Sequence, residues 1–433
     1  MFPRRLTALA GSVAALGLLL TGCGSSAQGG ATAAQKTQAV TFWSFVKGSD
    51  QVAAAFNQTH PGIKVTFDTM PSGQEYYSKL TNAVKAGTGP DVAVVEYPEL
   101  PEFATQGMLE PLDGLLGPLV KDQFPASIQQ LVELGGQTWG VPRDAGPLMM
   151  YYRNDFFTKN KISVPTTWAQ YQNMAVQVKK ADPNARGGVL YTDNPGLLTG
   201  LAWQAGAKWF STDNNAWKVS LDDAATKKVA DYWGGLAQQG LINSLTTLDP
   251  FWTSIQQSKT VAFICASWCA GSLQATVPDQ SGKWSVAPVP TWDGTPASAM
   301  YGGSSFVIPK GAKNSAAAAE FIKWITTDPA GIKAWVSNGV SSMLPADPAL
   351  VSVAKAAFPT GYFRGPDVYS VASQSYSTIV PGWTWGPVMD TTNTAIVDQL
   401  PNVAGGVSLF NVLTGAQQTT IQQIKHRGMN VAP

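Results

Sequence analysis

From Ala39 to Tyr97 the polarity pattern changes period four times, and this constrains the fold more than any other feature. "AVTFWSF" (39–45) alternates, with Val40 and Phe42 on one face, as a strand does. "SDQVAAAFNQTHPG" aligns Val52 with Phe56 at helical spacing and stops at Pro61-Gly62. "IKVTFD" alternates again, and "GQEYYSKLTNAVKAG" lines up Tyr76, Leu80 and Val84 before Gly87. "PDVAVVEY" is nearly continuous in apolar residues, the type of strand covered on both faces of a parallel sheet. Strand, helix, strand, helix, strand predicts an α/β layer with right-handed crossovers. Ligands of such open sheets bind at the carboxyl ends of the strands. Here those ends carry Trp43-Ser44 and Glu96-Tyr97. A third such end lies far downstream in "TVAFICASWCAG", a strand at 260–265 followed by Trp268.

The chain has 433 residues, which predicts two domains rather than one. Arg4 and Arg5 precede an apolar run from Leu6 to Leu20, shorter than the roughly 20 residues that span a bilayer. Positive start, apolar middle and small residues at the end form an export signal over residues 1–22. Leu20-Thr21-Gly22-Cys23 resembles the bacterial lipobox, which implies a lipid on Cys23 as the mature N-terminus, an extracytoplasmic place and a membrane anchor. The alternative is an ordinary signal peptide with a chance cysteine. Residues 23–39, small and polar, read as a flexible tether reaching on the order of 20 Å. Residues 1–22 hold two of the 29 Lys and Arg and none of the 28 acids, so the remainder has a net charge of −1. Such neutrality argues against nucleic acid as a partner.

Longer stretches resemble a known family. "FNQTHPGIKVTF" and "GTGPDVAVVEYPELPEFATQGMLEPLD" are similar to N-terminal signatures of the extracellular solute-binding proteins of ABC importers, in the sugar-binding group. "WGVPRDAGPLMMYYRNDFF" (139–157) resembles that family's first crossing between lobes, "VPTTWAQYQNMA" the helix start after it, and "YGGSSFVIPKGAKNSAAAAEFIKWI" the return crossing. The resemblance runs in order over about 40–345 and loosens from 346 to 433. It implies a two-lobed, periplasmic-binding-protein-like α/β fold that closes on a ligand in the cleft between the lobes, and a monomer whose partner is an importer permease. On this reading the first lobe is 40–146 plus 261–304, and the second is 147–260 plus 305–433.

A sugar offers hydroxyls and flat C–H patches, which suit carboxylates, an arginine fork and indole faces. Glu96, Arg143 and Asp144 are therefore the candidate polar clamps, and Trp43, Trp268, Trp203, Trp383 and Trp385 the candidate platforms, among 15 tryptophans. Ser44 and Tyr97 join them as strand-end neighbours. Tyr301, Gly302 and Gly303 stand at the return crossing, where glycines let backbone approach a ligand. Each aromatic also has a core reading. One of Trp203 and Trp209 belongs to the core, Trp383 and Trp385 in "PGWTWGP" read equally as loop or packing, and Trp168, Trp324 and Trp335 lie on amphipathic helices as packing residues.

Cys265 and Cys269, four apart in "CASWC", are expected to form a disulfide in an exported chain, provided a turn separates them. The two histidines, His60 and His426, are far from both, so no metal site and no cofactor are expected. The rival class is an exported glycosidase, which needs two carboxylates about 5–9.5 Å apart across the bond; Glu96 and Asp144 are the available pair. No GxSxG or GxxxxGK[ST] spacing is present. Binding without catalysis is the preferred reading. Charged residues are only 13% of the chain and tryptophans number 15, which leans to a neutral sugar over a sugar phosphate or a polyamine, with a polyol as a further alternative.

Overall fold

The computed structural model describes residues 37–432 apart from 248, 338 and 340. The signal segment 1–22, Cys23 and most of the tether lie outside the described residues. Among the described residues no helix is long and apolar enough to cross a membrane.

The expected α/β layer is present. Strand β1 (Gln38–Ser44) pairs in parallel with β2 (Ile63–Thr69) on one side and with β3 (Val92–Glu96) on the other. Helices α1 (Ser49–Thr59) and α2 (Gln74–Lys85) make the crossovers. Val40 and Phe42 of β1 are fully buried, as are Val92 to Val95 of β3. Phe42 and Phe56 both set their rings edge-on to Phe321, with centroids 5.3 and 5.0 Å apart, which seats a helix at Ser315–Thr327 on this sheet. The sheet is completed by Ser304–Val307, antiparallel to β3, and by Val141–Pro142.

The second lobe is built around an antiparallel sheet in which Leu148–Arg153 is central, with Ala262–Ala266 and Trp284–Pro288 on either side. A parallel pair, Val189–Tyr191 with Asn243–Leu245, accompanies it. This corrects the expected division of the chain. Residues 262–288 belong with the second lobe rather than the first, whereas 305–327 belong with the first rather than the second. "AFICA" is a buried apolar strand whichever sheet it joins, so its composition carries no information about its partner.

A second correction concerns the tryptophans at 203, 383 and 385. All three are buried, 1%, 2% and 6% exposed. Trp203 and Trp383 stack with centroids 5.2 Å apart and planes 9° from parallel, and Trp385 meets Trp383 edge-on at 5.3 Å. The Trp203 indole N–H donates to the Val380 carbonyl at 2.6 Å. The Pro and Gly neighbours of "PGWTWGP" do mark an irregular segment, but one pressed into the core of the second lobe. Trp168, Trp324 and Trp335 are buried as well, in keeping with their amphipathic helices. Truncating Trp383 to Ala is expected to lower stability by about 3–5 kcal/mol. The drop would be read as a lower midpoint in chemical denaturation, and an unchanged midpoint would refute the core assignment.

Candidate functional site

Three segments pass between the lobes and lie side by side. The Arg143 N–H donates to the Ser304 carbonyl at 2.9 Å, and the Tyr301 N–H to the Gly146 carbonyl at 2.8 Å. Leu344–Pro345 pairs antiparallel with Asp144–Ala145. A side chain at Gly146 would place its Cβ 2.5 Å from the Tyr301 carbonyl, so only glycine lets the first two crossings approach this closely. Gly303 adopts φ +95°, and a Cβ there would meet the Tyr97 ring at 2.8 Å.

The floor that these crossings make is tied by one ion pair. Arg143 and Asp144 are 4% and 5% exposed, and their Nη1 and Oδ2 atoms are 2.6 Å apart. The other Asp144 oxygen accepts from the Ser304 N–H at 2.9 Å and from its hydroxyl at 3.0 Å. The guanidinium lies 4.4 Å from the centre of the Trp335 ring. A buried pair is most favourable when its remaining hydrogen-bonding capacity is met; Asp144 meets this condition on both oxygens, whereas the Arg143 Nε has no hydrogen-bond partner among the described residues.

Above this floor is a cavity of about 430 Å³, within the range of small-molecule sites. Of the expected residues, Glu96, Arg143, Asp144 and Trp268 line it, together with Tyr301, Gly302 and Gly303. Glu96 ends β3, and one of its oxygens accepts from the Tyr77 hydroxyl at 2.8 Å. Burial pushes its carboxyl above the usual value; the Tyr77 bond opposes this and the charge of Asp144 reinforces it. Trp268 is half-buried and donates its indole N–H to the Tyr301 carbonyl at 3.1 Å. Cys265 and Cys269, on either side of it, are joined in a disulfide.

Three expected residues of the first lobe stand outside the cavity lining. Trp43 follows Phe42 on a strand, so it points to the opposite face; its N–H donates to Asp68 at 3.0 Å, and the Lys79 ammonium sits over its ring. The Ser44 hydroxyl accepts from the Val46 N–H at 3.0 Å and so shapes the loop after β1. That loop, through Phe45, Val46 and Lys47, reaches the cavity instead. Tyr97 lies beneath the floor, its hydroxyl donating to the Asp144 carbonyl at 2.9 Å. Trp203, Trp383 and Trp385 are likewise outside the lining, in the core described above.

The sequence reading missed the opposite wall, formed by Tyr191, Asn194, Thr247, Phe251 and Trp252 of the second lobe. Tyr191 and Phe251 meet edge-on at 5.3 Å. Tyr191 closes the strand Val189–Tyr191, so the strand-end rule that singled out Glu96 would have found it. Ser341, Ser342 and Met343 come from the third crossing, which carries no comparable local signal. Among the described residues no group of three or more His, Cys, Asp or Glu is placed to hold a metal ion.

Residues 43–332 match the bacterial extracellular solute-binding protein family. The chain belongs to that family. It is similar to the arabinooligosaccharide-binding protein of Bacillus subtilis, 26% identical over 71% of this chain and 72% of that one. It is also similar to the lactose-binding protein of Rhizobium radiobacter, 21% identical over 87% of this chain and 89% of that one. Two solved structures share the fold at a TM-score of 0.81 and 24% identity, each over 92% of this chain. One is an ABC transporter-associated binding protein of Bifidobacterium animalis subsp. lactis with β-1,6-galactobiose, of which all is covered. The other is the galacto-N-biose-/lacto-N-biose I-binding protein of Bifidobacterium longum with lacto-N-biose, of which 99% is covered.

This solute-binding protein has a further contact between its lobes at helix α3 (Leu100–Thr105). One Glu102 oxygen accepts from Arg427 at 2.7 Å and the other from the Asp390 N–H at 3.3 Å. Glu99, one turn earlier, has no ion pair among the described residues. Burial, and then the charges of Glu102, Glu96 and Asp390, push its carboxyl well above the usual range. A carboxyl raised on folding stabilises the native state below its unfolded value, about 4.3, and that contribution is lost as pH rises through the folded value. Glu99→Gln removes the loss. The thermal midpoint of the variant should therefore gain on the wild type progressively as pH rises from about 4, and parallel curves would contradict this.

Proposed function

We propose that this solute-binding protein captures a sugar or short oligosaccharide outside the cytoplasm and presents it to the permease of an ABC importer. The observation that carries the reading is the pairing of walls. One 430 Å³ cavity is lined from both lobes, by Phe45, Val46, Lys47 and Glu96 of the first and by Tyr191, Phe251, Trp252 and Trp268 of the second, with Arg143 and Tyr301 of the crossings at its floor. Flat rings suit the C–H faces of a pyranose, and a carboxylate and a guanidinium suit its hydroxyls. The relatives named for arabinooligosaccharide and lactose, and the counterparts holding β-1,6-galactobiose and lacto-N-biose, support the same ligand class.

Binding rather than hydrolysis follows from Asp144. A glycosidase needs its second carboxylate free to attack or to activate water, whereas both Asp144 oxygens are already occupied by Arg143 and Ser304. A sugar phosphate or a polyamine is served less well, because the Arg143–Asp144 pair cancels its own charge. The polyol alternative retains the same hydroxyl chemistry and is separated by the sugar's ring faces.

A ligand touching both walls binds the closed arrangement better than an open one and shifts the population accordingly. The permease then distinguishes loaded from empty protein by shape. Trp268→Ala should weaken binding of the tightest sugar in a calorimetric panel by roughly thirtyfold, the equivalent of about 2 kcal/mol for a buried aromatic anchor. Small-angle scattering should show the wild type becoming more compact with that sugar. Normal affinity in a folded variant would remove Trp268 from the site, and binding without compaction would remove hinge closure.

We also propose a lipid anchor at Cys23, on the strength of the Leu20-Thr21-Gly22-Cys23 motif. Cys23→Ala should shift the protein out of the membrane fraction or leave it uncleaved. Intact-mass measurement finding an unmodified mature start elsewhere would exclude the anchor.

A further inference from the structure

The disulfide lies in an unusual place for one that serves stability alone. It joins the strand Ala262–Ala266 to the first residue of the helix Cys269–Thr276, closing a loop of only Ala266, Ser267 and Trp268. The stabilisation expected from a cross-link grows with the length of chain it closes, so this bridge is near the lower limit of that effect. What it does enclose is the aromatic platform of the cavity, and Cys269 is itself part of the cavity wall.

Other restraints on the turn act on Ala266 and Ser267 rather than on the indole: the Tyr151 hydroxyl donates to the Ala266 carbonyl at 2.8 Å and to the Ser267 carbonyl at 3.3 Å, and the Ser267 hydroxyl donates to the Ala145 carbonyl at 3.4 Å. The Ser267 carbonyl accepts from the Ser342 hydroxyl at 2.8 Å, and that hydroxyl accepts from the Gly271 N–H at 2.7 Å. The Trp268 side chain has one hydrogen bond, to the Tyr301 carbonyl, and an edge contact with the Tyr301 ring at 5.5 Å. A half-buried indole on a cavity wall is packed less completely than a core one, so its direction depends on the rigidity of the backbone beneath it.

We propose that the Cys265–Cys269 bridge is a positioning element of the binding site, which holds Trp268 in the orientation that receives the ligand. The proposal rests on the sugar-binding reading for its effect on affinity, but not for its effect on Trp268 itself. Rigid presentation of a contact residue lowers the ordering that binding would otherwise require.

The test compares oxidised protein, protein reduced with a water-soluble phosphine, and Cys265→Ser/Cys269→Ser. In the reduction the S–S bond opens to two thiols while the phosphine takes the oxygen of one water as its oxide. The probes are β-1,6-galactobiose, lacto-N-biose, lactose and arabinooligosaccharides. Opening the bridge should weaken the tightest of them about five- to thirtyfold, never beyond the loss caused by Trp268→Ala. In a Trp268→Ala background it should change affinity less than twofold, since residues acting through one another are not additive. Equal losses in both backgrounds would overturn the proposal, because a bridge that merely stabilised the lobe would act independently of Trp268. Fluorine NMR of protein labelled with 5-fluorotryptophan gives a readout that needs no ligand. The Trp268 resonance, assigned by Trp268→Phe, should shift or broaden on reduction, and an unmoved resonance would also overturn the proposal. If no probe binds the wild type, the sugar reading falls while the fluorine measurement still decides the role of the bridge.

Discussion

Arg143 and Asp144, neighbours of opposite charge, sit where the chain first leaves the N-terminal lobe, and the geometry of the cleft depends on how they are paired. Removing two charges from water costs several kcal/mol per ion, and their attraction offsets this only with good geometry and further hydrogen bonds. Asp144 obtains those bonds from Ser304, which is 160 positions away and belongs to the return crossing. The bonds that support the ion pair are therefore made only when the two crossings are in register. Once formed, it sets Glu96, the last residue of β3, beside the same floor, because Ser304 pairs with Glu96 in the sheet.

The same interaction explains why the cleft is suited to binding. Both Asp144 oxygens are occupied by Arg143 and Ser304, and the Arg143 guanidinium is engaged by Asp144 and by the face of Trp335. Glu96, whose carboxyl burial pushes above the usual value, accepts from the Tyr77 hydroxyl and lines the cavity, where it can accept from a ligand hydroxyl. Such groups suit a neutral polar ligand.

Aromatic residues divide between two tasks. The stack of Trp203 on Trp383 fills the interior of the second lobe with large flat surfaces. Trp268 and Trp252 are only half-buried and face the cavity. What separates the two groups is the presence or absence of a facing element, and this is a property of the folded molecule.

Much of the first lobe was legible in the sequence, because period-two and period-3.6 patterns decide which face of each element is apolar. The strand-end rule then located Glu96 and Trp268, and the spacing in "CASWC" indicated the bridge. Local patterning also contained, unused, the reason that Trp43 points away: it follows Phe42 on a strand, and successive side chains alternate. The membership of "AFICA" in the second lobe, the burial of Trp383 and Trp385, and the opposite wall of Phe251 and Trp252 were decided by tertiary structure. Each depends on which distant strand or helix lies alongside, as Cys265 lies opposite Met149. Hydrophobic periodicity states that a surface must be covered. It does not state by what, since any apolar surface of suitable shape excludes water equally well.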